Sequence, residues 1–152
     1  DAAICVACFF ISVMGSINTD IAQTLDITCR RGDTLALDIT FRDSSTSDNA
    51  FIPIDAGYEF NMDVRTAATD NSSSPILSDV NSPGTGTAGV IELDAATSGA
   101  NGVLKVTIPD TAMANVPGGA YVYDIQAVQT SSATTTTWVK GSFTVNEDVT
   151  IG

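Results

Sequence analysis

Histidine is missing from this chain, and cations are scarce. Six Lys plus Arg stand against eighteen Asp plus Glu, a formal charge of −12. The lack of histidine removes the commonest general acid/base and the commonest metal ligand. Binding to nucleic acid works through clustered Lys and Arg that release counterions, so no nucleic-acid partner is expected. The same shortage disfavours an anionic membrane surface. Cysteine is sparse too: Cys5, Cys8 and Cys29 are three, and an odd number cannot pair fully within one chain. Cys5 and Cys8 have CxxC spacing, but they sit in an apolar run without βαβ context. Thiolates and imidazoles cannot complete a zinc site here, so the thiols read as buried or incidental and no cofactor is expected. The apolar part of Asp1–Val13 is too short for a transmembrane helix, which needs roughly 20 residues. Helical periodicity is almost absent.

What is present is alternation. Leu35, Leu37, Ile39 and Phe41 fall on one face, with Ala36, Asp38, Thr40 and Arg42 on the other. Tyr58, Phe60, Met62 and Val64 alternate with Glu59, Asn61, Asp63 and Arg65. Tyr121, Tyr123, Ile125 and Ala127 alternate with Val122, Asp124, Gln126 and Val128. A period of two with one apolar face marks strands half buried in an antiparallel sheet. Shorter strands are expected over Thr24–Cys29, Ile76–Val80, Val90–Leu93 and Val103–Ile108. The last strong strand, Thr137–Val145, puts Val139, Gly141, Phe143 and Val145 on the core face. Asp110 is expected to cap one helical turn that leads to Pro117-Gly118-Gly119. The Pro117-x-Gly119-x-Tyr121 spacing matches a tyrosine corner, in which the hydroxyl bonds back to the upstream backbone. About seven to nine short strands separated by turn signals give an all-β fold, an antiparallel Greek-key β-sandwich.

Two parts are expected: an apolar N-terminal extension or arm over Asp1–Val13, and a single sandwich domain over 14–152. The first has two readings. Met14 resembles a natural start of translation, which would make 1–13 an upstream extension of the frame. Alternatively 1–13 is an arm or edge strand that pairs with a neighbouring subunit, because a bare apolar, uncharged segment is an aggregation hazard. On the arm reading Phe9, Phe10 and Ile11 are interface residues. Trp138 is the other candidate interface residue, since period two places it opposite the core face of its strand.

Three further patterns bear on chemistry. Arg31-Gly32-Asp33 spells an adhesion tripeptide, but it abuts the most regular strand and reads as a tight turn. Asp38, Asp63 and Asp124 could pair for acid/base work. Each lies at an outward strand position with no histidine or activated nucleophile, so a solvated sheet face is the reading and no enzyme is expected. The acidic loops at Asp43–Asp48 and Asp70–Asn71 offer oxygen ligands without EF-hand spacing, so no metal is expected.

Four stretches in order, Cys29–Asp43, Pro53–Arg65, Val116–Ile125 and Lys140–Thr150, resemble the small immunoglobulin-like virion proteins of tailed bacteriophages. The N-terminal domain of upper baseplate proteins is the relative that they suggest. In that group Gly-Asp-Thr precedes the first long strand, as Gly32-Asp33-Thr34 does here. A Pro-Ile-Asp-Leu-Thr-Gly-Tyr corner opens the next strand. Here Ala56 replaces the Leu-Thr pair, which shortens the corner. A Gly-x-Tyr-x-Tyr-Asp-Ile strand comes late, as Gly119–Ile125 does. The likeness spans about Asp26–Thr150. It implies an Ig-like sandwich with a non-enzymatic role in a virion: baseplate, tail, fibre attachment or capsid decoration. It also implies a homo-oligomer docked to other virion proteins, and no catalytic residues. The alternative is a secreted or surface module that binds carbohydrate or a cell surface.

Overall fold

The structure, a computed structural model, describes residues 4–6, 22–43, 47–54, 57–72, 74–78, 92–94 and 99–150. Its strands are β1 (Ile4–Val6), β2 (Gln23–Thr24), β3 (Ile27–Arg30), β4 (Leu35–Phe41), β5 (Tyr58–Arg65), β6 (Leu77–Ser78), β7 (Glu92–Asp94), β8 (Val103–Ile108), β9 (Gly119–Gln129) and β10 (Thr134–Asn146). One helical turn, α1 (Asp110–Met113), joins β8 to β9. A four-stranded sheet in the order β1-β4-β8-β7 faces a second sheet in the order β2-β10-β9-β5-β6, where β3 also pairs with β10. Successive strands change sheet from β1 to β2, β3 to β4, β4 to β5, β6 to β7 and, through α1, β8 to β9. That order and those crossings are those of an Ig-like β-sandwich.

The alternating strands do what their pattern dictates. Leu37, Ile39 and Phe41 of β4 meet Phe60, Met62 and Val64 of β5 and Tyr123, Ile125 and Ala127 of β9 in one buried cluster. The rings of Phe41 and Phe60 stack across it at 6.2 Å. Burial of this apolar surface is the main driving force of the fold. The tyrosine corner forms as the sequence implies: Tyr121 Oη donates to the Pro117 carbonyl at 2.8 Å. Gly32 takes φ of +83° in the turn between β3 and β4, a conformation that glycine adopts without steric cost.

Three expectations need correction. First, Trp138 is not on the surface; it is 5% exposed. The β9–β10 ladder slips between Thr137 and Val139, a bulge that inserts Trp138 as an extra residue. Trp138 and Val139 therefore both turn inward, which a count by twos cannot anticipate. Second, the sheets are mixed rather than wholly antiparallel: β1 runs parallel to β4, and β2 and β3 run parallel to β10. Third, Asp110 is not the N-cap. Pro109 holds that position without a side-chain cap bond, and Asp110 Oδ1 accepts from the Thr111 amide at 2.7 Å within the first turn.

Candidate functional groove on the six-stranded sheet

The outward positions of β5, β9 and β10 form rows, because register places them side by side. One row runs Asn61, Gln126, Thr137. The next runs Asp63, Asp124, Lys140. A third runs Arg65, Val122, Ser142. The segment after β5 arches over their end and turns the face into a groove of about 820 Å³, with Ala67, Asp70, Asn71 and Ser72 on its rim and Thr24 on the far side.

Arg65 builds that rim. Its Nη1 donates to the Ser72 carbonyl at 2.6 Å and to the Asp70 carbonyl at 3.4 Å, while Nη2 donates to Asp63 Oδ2 at 2.9 Å. Asp70 closes the turn from inside. Its carboxylate accepts from the Ser72 amide at 2.9 Å and the Thr66 hydroxyl at 3.0 Å. Those bonds, the Ser72 amide foremost, favour the ionised form and push the Asp70 carboxyl down to about 2. The contribution of this turn is present above the ordinary value of 3.8 and is lost as pH falls towards about 2.

Asp124 behaves in the opposite sense. Partial burial raises its carboxyl pKa, the charge on Asp63 directly across the ladder raises it further, and Arg65 pulls it back. Its folded-state value thus stands above the unfolded one. Ionised Asp124 disfavours the fold at neutral pH, and that penalty disappears below about 4, where both states are protonated. Asp124→Asn should therefore raise stability at pH 7 by a few tenths to about 1 kcal/mol, with the gain fading below pH 4. Urea denaturation at several pH values checks this. A loss at pH 7 would show that Asp124 serves mainly as a partner to the cation opposite it.

The sequence candidates are placed as follows. Asp63 and Asp124 come together in the groove. Asp38 lies on the other sheet, where Lys105 Nζ donates to it at 3.4 Å. Phe9, Phe10 and Ile11 lie outside the described residues. Trp138 packs in the core and not at a subunit interface. Arg31 of the tripeptide is tethered: Nε donates to the Ala114 carbonyl at 2.9 Å, and Nη1 pairs with Glu147 at 3.2 Å. Cys29 is half buried, and that burial pushes its thiol up to about 11, the opposite of an activated nucleophile. Among the described residues no group of three or more His, Cys, Asp or Glu is placed to hold a metal. Asp70 and Asn71, weighed above as oxygen ligands, lie on the rim, whereas Arg65, Lys140, Ala67 and Ser72 were missed as site residues. The Asp63-x-Arg65 spacing was the available signal, since residues two apart share a strand face.

No protein-family model matches the chain, and no curated protein does. Among solved structures it is similar to the NK cell receptor Nkp44, described as a triggering partner in natural cytotoxicity. Identity is 17% over 82% of this chain and 98% of that one, with a TM-score of 0.45. The sheet order, the crossings between sheets and the tyrosine corner make this chain an Ig-like β-sandwich.

Proposed function

We propose that the chain is a non-enzymatic assembly protein of a tailed-phage virion that acts by docking to copies of itself and to other virion proteins. The observation that supports this is where the family likeness falls. Cys29–Asp43 covers the end of β3, the following turn and β4. Pro53–Arg65 leads into β5, Val116–Ile125 makes the tyrosine corner and β9, and Lys140–Thr150 runs along β10. The likeness thus sits on the framework that a docking module needs. Particles purified from a culture that carries the gene provide the test. Mass spectrometry should find the chain at a fixed ratio to the tail or capsid proteins, and immunogold should decorate one part of the particle. Intact particles that lack the chain would sink the reading.

The groove favours a second reading, a module that binds a polar ligand such as carbohydrate. Its volume suits a small ligand. Asp63, Asp124, Asn71 and Gln126 line it with hydrogen-bonding groups. Binding to a glycan array by the isolated chain, abolished in Asp124→Asn, would support this reading. Release of reducing sugar in the same assay would turn the carboxylate pair into an acid/base candidate. A blank array removes the reading.

A further inference from the structure

The four-stranded sheet closes with a short strand from far upstream. Ile4, Cys5 and Val6 pair in parallel with Ile39, Thr40 and Phe41. β4 is its only pairing partner among the described residues. The next described residue is Ala22. We propose that this edge is a strand-exchange joint: Ile4–Val6 of one copy seats on Ile39–Phe41 of a second copy of this chain, in the register that it takes within one copy. The inference deepens the docking reading above and rests on it by saying which surface joins like to like.

Three observations carry it. The first is the bond inventory. A strand moved from its own β4 edge to a neighbour's makes the same ladder bonds, so contacts cancel and concentration decides between the two arrangements. The second is reach. The span 7–22 extends to at most ~50 Å at ~3.3 Å per residue. A chain of this size has a radius of gyration of only ~15 Å, so the span is long enough to hand the strand to an adjacent molecule. The third is charge. Each copy carries −12, so broad face-to-face contact between copies is repulsive. Ala2–Val13 contains no charged residue, so a joint made through it adds no like-charge contact from the donated strand. The carboxylates of the β5–β9–β10 face would meet their own kind in a symmetric contact.

Cys5 stands at the register position opposite Thr40, and this supplies the experiment. One chain keeps only Cys5 (Cys8→Ser, Cys29→Ser). A second carries only a thiol at position 40 (Cys5→Ser, Cys8→Ser, Cys29→Ser, Thr40→Cys). The two are mixed in denaturant, refolded together and treated with a short bis-maleimide. A bond between them can form only in trans. A covalent heterodimer at twice the 15.7 kDa chain mass, more abundant at higher protein concentration, is the expected result. Absence of that product, or products of like chains alone, overturns the proposal. An independent readout guards against misfolding of the cysteine variants. Light scattering on the otherwise unaltered chain should give an oligomer that Val6→Pro reduces to monomer, because proline removes a ladder donor. An unaltered chain that is monomeric at every concentration, or an oligomer indifferent to Val6→Pro, likewise overturns it. Detection of the chain in particles depends on neither readout, so the two readings fail separately.

Discussion

Trp138→Ala should destabilise the protein by about 3–5 kcal/mol, enough to remove much of the stability of a domain this size. The indole sits among three rings from two strands, β4 and β5. Its centroid lies 5.0 Å from Phe41 and 5.8 Å from Phe60, both edge-on, and 5.1 Å from Tyr58. Phe41 belongs to one sheet, and Phe60, Tyr58 and Trp138 belong to the other. The indole is therefore a main contact between the layers at that end of the sandwich. Truncation removes the transfer free energy of a large ring and leaves a cavity that strands on both sides hold open. Trp138→Phe should recover part of the loss, since one ring still meets Phe41. Guanidinium titration followed by far-ultraviolet circular dichroism gives the numbers. A stable, cooperative Trp138→Ala monomer with altered assembly would restore the view of Trp138 as a surface anchor.

The inward turn of Trp138 shows what alternation conveys and what it omits. Period two assigned the faces of β4, β5 and β9 from one end to the other, because none of these strands is interrupted. It also assigned Val139, Phe143 and Val145. It failed at Trp138 because a bulge shifts the face of every residue on one side of it, and Thr134–Thr137 gives no apolar count to show the slip. Strand direction was equally hidden. Leu25, Ile27 and Cys29 alternate in the same way whether their neighbour runs parallel or antiparallel. The turn residues around Pro117 and Gly119 were legible because corner geometry needs those residue types at that spacing. The groove was half legible. Asp63 and Asp124 were placed outward correctly, but their adjacency follows from register across β5 and β9, which no local pattern states. Asp38 has the same outward pattern and ends up on the opposite sheet.

Gly141→Ala should cost about 2–5 kcal/mol, and the reason lies in how the edge of the six-stranded sheet is sewn. β2 and β3 keep one register against β10: Thr24 is opposite Lys140, and Ile27 is opposite Phe143. Between them the ladder is rewired. The Leu25 amide still donates to the Lys140 carbonyl at 2.9 Å. The Leu25 carbonyl instead turns inward and accepts the buried Tyr123 hydroxyl at 2.6 Å. The Ser142 amide donates to the Asp26 carboxylate at 3.0 Å. That bond holds the Asp26 carboxyl below its ordinary value. Burial, with the Asp26 charge second, keeps the Tyr123 phenol protonated well above its usual range, so it remains a donor at every physiological pH. The inward carbonyl lies where a β-carbon on Gly141 would be. A methyl group there meets backbone that cannot retreat without breaking the Tyr123 bond. The variant therefore suffers either steric strain or an unsatisfied buried carbonyl. Tyr123→Phe alone should cost about 1–3 kcal/mol by the second route. If both changes act through the Leu25 carbonyl, the double variant should cost less than the sum of the two by about 1 kcal/mol or more. Additive losses, or a Gly141→Ala variant within about 0.5 kcal/mol of the parent, would show that the edge has room that this geometry denies.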